Sequence, residues 1–289
     1  MKKVYFLLFF FLIFLFISCE KEIEYNGELG ESVIVVNGVL EKNALIQVSL
    51  SVSTPSFGDN HFGENQYLNS PANLILTDNT TGETFTSNSN STIHYTFGTT
   101  AIIGHSYSIN INHPDYLNTT AATSIPQEIS ILDWDTSTVT STNMYAQKKL
   151  NLRWNDTEGE NYYFVQLLSI DTITNLDNEM YISSFKINNG EENEGKSMLI
   201  FKDEAFNNSL CQLSLKFSPN YYYDNNGQMG KKKSYKVNIY NVSKELYNYY
   251  YSISKTGEGP FSEPVKVYTN ITNGLGVFGG MNTTTLLFE

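Results

Sequence analysis

Apolar and polar residues alternate along much of the chain, and this two-residue period predicts β-strands with one face turned to a core. The clearest segments place the following residues on the expected inner face: Ile46, Val48, Leu50 and Val52; Tyr107, Ile109 and Ile111; Leu150, Leu152 and Trp154; Cys211, Leu213, Leu215 and Phe217. Turn-forming residues separate the segments, as in the hairpin expected over residues 78–82. The pattern predicts a mainly β fold of antiparallel β-sandwiches, similar to immunoglobulin and fibronectin type III domains.

One segment has a helical period instead. Leu246, Tyr250 and Ile253 recur on a single helical face, and Ser243 stands where a side chain can cap the first turn. We therefore predict one helix near residues 243–255, packed against the second sheet.

The N-terminus carries a different pattern. Two lysines precede the uncharged apolar run Val4–Ile17, which is short compared with the roughly 20 residues of a membrane-spanning helix. A basic start followed by a short apolar run is typical of a secretory signal. Residues 15–19 are similar to a lipobox, in which the cysteine is acylated and becomes the new N-terminus, although Phe16 stands where leucine is usual. We predict lipidation of Cys19; the alternatives are a plain secretory signal and an uncleaved anchor.

Four parts of the chain follow from these patterns. We predict a lipoprotein signal peptide over 1–18, the lipidated cysteine with a flexible polar tether over 19–31, an N-terminal β-sandwich over 32–126, and a C-terminal β-sandwich with the helix over 127–289. Pro126 marks the boundary, because a second series of alternating strands begins after it.

Charge and cysteine content narrow the function classes. The formal net charge is −12, and loss of the two N-terminal lysines with the signal would make it −14 (−12 − 2). Such an acidic body is a poor binder of nucleic acid or of anionic lipid. Cys19 and Cys211 are the two cysteines of the chain, so a lipidated Cys19 excludes an intrachain disulfide. The fold must then rest on its core, where we expect Cys211 to be buried and inert.

Motifs that could carry chemistry are weak. Residues 274–279 match the dinucleotide-binding spacing G-x-G-x-x-G, but only ten residues follow, too few for the helix and strand that the site requires. Close backbone packing or a bulged turn explains these glycines better. The loop start at 224–227 lacks the glutamate that calcium binding needs at the twelfth position.

Isolated titratable residues give no stronger signal. Asp133 and Asp135 flank Trp134 on one expected strand, without other signs of a sugar cleft. The histidines do not have zinc-ligand spacing; they are His61, His94, His105 and His113. We therefore expect neither an enzyme nor a cofactor or metal site.

Several landmarks together resemble a family known only as domain of unknown function 4249, found in Bacteroidota. They are Val35-Val36-Asn37-Gly38, Tyr107, Ile125-Pro126, Asp156 with Tyr162-Tyr163, Leu246-Tyr247-Asn248-Tyr249-Tyr250, residues 260–265, and residues 270–279. The resemblance covers nearly all of the chain after the signal and implies an outer-membrane lipoprotein, often encoded beside a TonB-dependent receptor. It implies no ligand and no site. Residues 20–22 are also similar to the signal that such bacteria use to display lipoproteins on the cell exterior.

Three functions are compatible with these observations. The leading hypothesis is a non-catalytic accessory or ligand-capture partner of a TonB-dependent nutrient uptake system, anchored to the outer membrane and facing the exterior. The second is a free-standing glycan- or protein-binding surface module that uses Tyr221–Tyr223 for stacking. A hydrolase is the third, and would require a cleft with convergent titratable groups.

A partner contact is predicted in the C-terminal segment. Four glycines within residues 270–280 can let backbone approach a partner, with Leu275, Val277 and Phe278 as apolar anchors. The alternative is that Val277 and Phe278 close the core of the second domain.

Overall fold

The computed structural model describes most of the chain beyond the N-terminal segment. The described residues are 31–54, 66–87, 90–139, 147–170, 176–219, 221–223, 229–231, 234–256 and 265–289, with the backbone alone for 221–223 and 229–231. Within these residues, the one α-helix is too short to span a membrane.

The described residues are mostly β-strand, as the alternating pattern predicts. The strands are β1 Ile34–Glu41, β2 Leu45–Val52, β3 Asn73–Asp78, β4 Thr84–Thr86, β5 His94–Thr100, β6 Ser106–His113, β7 Tyr116–Ser124, β8 Ile131–Val139, β9 Gln147–Asn155, β10 Tyr162–Ile170, β11 Asp177–Met180, β12 Ile182–Ile187, β13 Asn193–Glu194, β14 Met198–Lys202, β15 Leu210–Phe217, β16 Tyr221–Tyr223, β17 Met229–Lys231, β18 Tyr235–Val242 and β19 Gly274–Phe288. The α-helix, α1, spans Lys244–Ile253, and a short 3-10 helix spans Asp203–Ala205.

A central eight-stranded sheet forms one wall of both sandwiches. Its strand order is β11-β10-β18-β19-β1-β2-β5, with β14 also paired to β10. The long strand β19 joins its two halves: the first part pairs with β1 from Gly274 to Met281, and the second part pairs with β18 from Met281 to Phe288. The β1–β19 pair is parallel, and in this pair the sheet departs from the antiparallel arrangement that we predict from the sequence.

The first core lies between β1, β2 and β5 of the central sheet and a four-stranded sheet of order β4-β3-β6-β7. The inner face predicted for β2 is confirmed, with Ile46, Val48 and Leu50 almost fully buried. Residues 78–82 form the expected turn between β3 and β4, and Gly82 takes a φ of +80° there. Two residues from the far end of the chain, Ile271 and Phe278, also belong to this core.

The second core lies between the other half of the central sheet and a five-stranded sheet of order β13-β12-β15-β9-β8. The faces predicted for β9 and β15 are confirmed, because Leu152, Trp154, Cys211 and Leu215 are all buried. The described part of the chain is therefore mainly β, with sandwiches and one α-helix, as predicted. The domain boundary at residue 126 stays a prediction. Strand β19 contributes side chains to both cores.

Helix α1 packs on the opposite face of the central sheet, away from both cores. Ser243 caps it as predicted: its Oγ accepts a hydrogen bond from the Leu246 backbone N–H at 3.3 Å. The same Oγ accepts from the Gly280 backbone N–H at 3.2 Å, so the cap also fixes the helix to β19. Leu246 packs there in a third apolar cluster with Tyr162 and Val277.

Candidate functional site

An open apolar groove runs beside α1 on the outer face of the central sheet. We call it the helix groove; its lining residues are Val39, Phe164, Gln166, Met198, Tyr240, Leu246, Tyr250 and Met281. Its volume is about 330 Å³, within the range of small-molecule sites in proteins, about 300–1,000 Å³. Five strands and the helix contribute to it, so segments more than 200 residues apart in the chain meet here.

The sequence of β10 explains why this face is apolar. Its residues Tyr162–Val165 are buried on both sides of the strand, as in strands that are covered on both faces. Tyr163 and Val165 point into the second core, whereas Tyr162 and Phe164 point to the helix side. The Phe164 ring meets the Tyr250 ring edge to face at a centroid distance of 5.4 Å, which is a favourable geometry for aromatic pairs. This pair forms one wall of the groove.

The groove ends on one side in a chain of hydrogen bonds. The Tyr240 hydroxyl donates to Gln166 Oε1 at 3.1 Å, and Gln166 Nε2 donates to Glu179 Oε1 at 2.7 Å. The Tyr240 hydroxyl also accepts from Asn238 Nδ2 at 3.0 Å. Burial raises the pKa of Tyr240 and outweighs the hydrogen bond from Asn238, which lowers it. Tyr240 is therefore a neutral hydrogen-bonding phenol at physiological pH.

The lining residues indicate binding more than chemistry. Seven of the eight carry apolar or aromatic side chains, and Gln166 supplies an amide. A few placed polar groups in an apolar site are typical of ligand recognition. The functional signal that sequence reasoning missed is the pair of methionines, Met198 and Met281, on the outer faces of two strands.

The segment 270–280, for which we predict a partner contact, is mostly buried or half-buried within the protein. Phe278 is fully buried in the first core, and Val277 is buried in the cluster under α1. Both side chains are therefore buried inside the protein. Neither belongs to the second core, where our alternative places them. Leu275 is 46% exposed, and it alone of the three presents an apolar side chain to the surface.

The glycines of this segment let the chain pack against itself. A Cβ at Gly276 would lie 2.0 Å from the Val36 carbonyl oxygen, and one at Gly280 would lie 2.1 Å from the Ser124 carbonyl oxygen. Gly276 also has a φ of +93°, a backbone conformation that favours glycine. Close backbone packing thus explains the G-x-G-x-x-G spacing, as we expect from the sequence.

The histidines of the described residues each contact a different neighbour. His94 lies 3.0 Å from Ser49 Oγ, His105 lies 2.7 Å from Asp78 Oδ2, and His113 lies 3.0 Å from Ser70 Oγ. Across the described ranges, His, Cys, Asp and Glu form no group of three or more that could hold a metal ion.

The two aspartates of β8 are bound to the neighbouring strand. Asp133 pairs with Arg153, and Asp135 accepts a hydrogen bond from Asn151 Nδ2 at 2.7 Å. Trp134, between them, is 41% exposed. The two aspartates therefore lie on an edge strand of the five-stranded sheet, and side chains of β9 bind both carboxylates.

A buried acidic cluster fixes the turn before β10. Tyr163 donates its hydroxyl hydrogen to Asp156, which also accepts from the Asn208 backbone N–H at 2.9 Å. Asp203 accepts from the Asn161 backbone N–H at 2.8 Å. Burial raises the pKa of Asp156, and this effect outweighs the hydrogen bonds that lower it. The cluster holds turns together through residues that also carry the family resemblance, Asp156 and Tyr163.

Some predicted features fall outside the described residues. They are the segment 1–18, Cys19 with the tether up to residue 30, His61, and the loop 224–227. The side chains of Tyr221–Tyr223 are also outside the description. These predictions stay predictions.

A family model and a solved structure each match nearly the whole chain. A family model described as "Domain of unknown function (DUF4249)" matches residues 20–286. Among solved structures, the chain is similar to one named "Biofilm associated protein - BSP domain", with 9% sequence identity and a TM-score of 0.24. That alignment covers 93% of this chain and 61% of the other, and a likeness this weak carries no argument about function. The comparison with curated proteins gave no match.

Proposed function

This chain belongs to the domain of unknown function family DUF4249, and we propose that it is a non-catalytic accessory protein of a TonB-dependent nutrient uptake system. In this proposal Cys19 carries the lipid anchor and the outer membrane holds the protein. The part of the chain from β1 to β19, which we call the β body (residues 34–288), faces the cell exterior. The helix groove captures the ligand and presents it to the receptor.

The groove is the observation that carries the capture step. Apolar side chains are usually covered in a folded protein, and an open apolar site with a few polar groups marks a binding surface. Here Phe164, Tyr250 and Met281 line a site of about 330 Å³ that remains open beside α1. The anchor and its location rest on the N-terminal sequence, where an apolar run leads to Ser18-Cys19 and then Glu20-Lys21-Glu22.

A second candidate function is a free-standing glycan-binding module. A polar depression of about 460 Å³ on the four-stranded sheet favours it. Its polar lining residues are Thr77, Ser108, Asn110, Thr120, Asn270 and Thr272. Hydroxyl and amide groups can exchange hydrogen bonds with sugar hydroxyls, and such a module needs no channel.

Receptor crosslinking in intact cells tests the leading proposal. We expect an amine-reactive crosslinker to join the wild-type protein to a TonB-dependent receptor, identified by mass spectrometry. Cys19→Ala should abolish acylation and release the protein from the outer membrane, whereas the matched variant Cys211→Ala should stay acylated and anchored. Recovery of no such receptor with the anchored protein would favour the free-standing module.

Exposure on the cell surface is tested in the same cells. Added protease should degrade the wild-type β body, and Lys21→Ala with Glu22→Ala should reduce that degradation. Full protection of the wild-type protein would instead place it on the periplasmic side.

A further inference from the structure

On the outer face of the central sheet, the side chains change from apolar to polar with distance from α1. Leu246 and Tyr250 of the helix cover Phe164, and Phe164 is the cross-strand partner of Tyr240. Next come Met198 and Gln166, also directly opposite each other. In the next row Leu168 lies between the charged residues Lys236 and Glu179. The groove is therefore apolar at the helix end and polar at the other.

The charges around the groove are mostly negative. Glu41 lies directly across from Met281 in the β1–β19 register, two residues beyond Val39 on the same face. Glu179 accepts the hydrogen bond of Gln166, a lining residue. Asp177 is also close, but it already forms an ion pair with Lys236. Glu41 also accepts a hydrogen bond from Thr283 Oγ1 at 2.7 Å. Glu41 and Glu179 thus have no lysine or arginine partner among the described residues, and both lie near the apolar site.

We propose that the helix groove binds a cationic amphiphile, that is, an alkyl or aryl chain ending in an amine. The inference rests on the proposed function in one respect, namely that the groove captures a ligand. The alkyl or aryl chain of this ligand lies against Phe164, Met198 and Met281. Its ammonium group lies within reach of the carboxylate of Glu41 or of Glu179.

The lining side chains suit a flexible apolar chain. Methionine has three rotatable bonds and a polarizable sulfur, so it adapts to ligands of varied shape. Met198 and Met281 are both half-buried and line the groove. An aromatic wall of Phe164 and Tyr250 can also stack on a ring or attract a cation.

The size of the site favours a small molecule over a protein partner. A specific, stable protein interface buries about 1,200–2,000 Å² in total. The helix groove has eight lining residues, and its polar end is occupied by the Tyr240–Gln166–Glu179 hydrogen bonds. A short alkyl or aryl chain with one terminal amine is large enough to fill this site.

Photolabelling of the mature lipoprotein in phosphatidylcholine nanodiscs tests the proposal. The probes are two diazirine-bearing alkyl chains of equal length, one ending in a primary amine and the other in a carboxylate. After irradiation, mass spectrometry locates the labelled residues. We expect the amine to label Met198, Tyr250 and Met281 at least several-fold more than the carboxylate does. Octylamine should displace this label better than hexylamine, because each buried methylene is worth about fourfold in affinity.

Three variants separate the contribution of the carboxylates to labelling from that of the apolar lining. Glu41→Gln with Glu179→Gln should remove the preference for the amine while the apolar lining still takes up label. The control is Glu192→Gln, a carboxylate bound to Lys216 beside the five-stranded sheet, which should keep the preference. Tyr250→Ala should lower labelling by both probes. Circular dichroism checks that each variant is folded.

Two outcomes overturn the proposal. One is equal labelling by amine and carboxylate in the wild-type protein. The other is label spread over exposed residues such as Leu117 and Leu287 instead of the groove. Receptor crosslinking is measured separately, so the two proposals can fail independently. If Tyr250→Ala abolishes receptor crosslinking while the amine leaves the groove unlabelled, the groove is a protein-docking site and the amphiphile is excluded.

Discussion

Replacing Phe278 by alanine tests whether the C-terminal segment serves the core or a partner. The Phe278 side chain is 0% exposed and packs in the first core. Removing a buried phenylalanine ring costs about 3–5 kcal/mol, because transfer free energy is lost and a cavity remains. At about 2–4 °C per kcal/mol for a chain of this size, the Tm should fall by about 6–20 °C. Leu275→Ala, on the same strand but 46% exposed, should change stability by less than about 0.5 kcal/mol.

Gly38 makes the test sharper. A Cβ at Gly38 would lie 2.7 Å from Phe278 Cδ2 and 3.2 Å from Val48 Cγ2, so Gly38→Ala alone should be destabilising. In a chain that also carries Phe278→Ala, the added methyl group can occupy the space left by the ring. The double variant should therefore lose less stability than the sum of the two single variants.

Urea unfolding of the purified variants, followed by circular dichroism, gives the four free energies of this cycle. Additive losses would refute the placement of the Phe278 ring over Gly38. Unchanged stability of Phe278→Ala, together with loss of receptor crosslinking, would refute its assignment to the core.

Two further predictions concern buried titratable groups. Burial raises the pKa of the Cys211 thiol, so a thiol reagent should label it slowly in the folded protein and rapidly in denaturant; equal rates would mean that the site is open. Burial tends to raise the pKa of Asp78, but hydrogen bonds from His105, Thr80 and Thr81 outweigh burial and lower it. A lowered pKa stabilises the fold above the unfolded value, about 3.9, and this contribution is lost as the pH falls through the folded value. Asp78→Asn should thus lower the urea midpoint at pH 7 and reduce its loss on going from pH 7 to pH 3; an unchanged pH profile would contradict this assignment.

Local patterns predicted the strand faces and the helix. Alternation over Ile46–Leu50 was enough because the two faces of β2 meet different environments, a core and a more polar side. Ser243 was recognisable as a cap because the helix start needs a side-chain acceptor close in sequence. Such features depend on neighbours within a few residues.

Long-range pairing could not be predicted in this way. The parallel pairing of β1 with β19 joins residues about 240 positions apart, and the alternating pattern does not encode a partner. For the same reason, Phe278 could not be assigned to its core from its own segment. The helix groove needs Val39, Phe164 and Met281 together. One signal was present, since the uninterrupted apolar run Tyr162–Val165 indicated that β10 is covered on both faces.

The path of β19 has a consequence for the order of folding. Its fifteen residues, Gly274–Phe288, supply Phe278 to the first core and Phe288 to the second. Neither core is complete until β19 is available, and pairing over such sequence distances is slow. A ribosome that still holds β19 therefore holds both sandwiches open, and folding of the two becomes one event that waits for this strand.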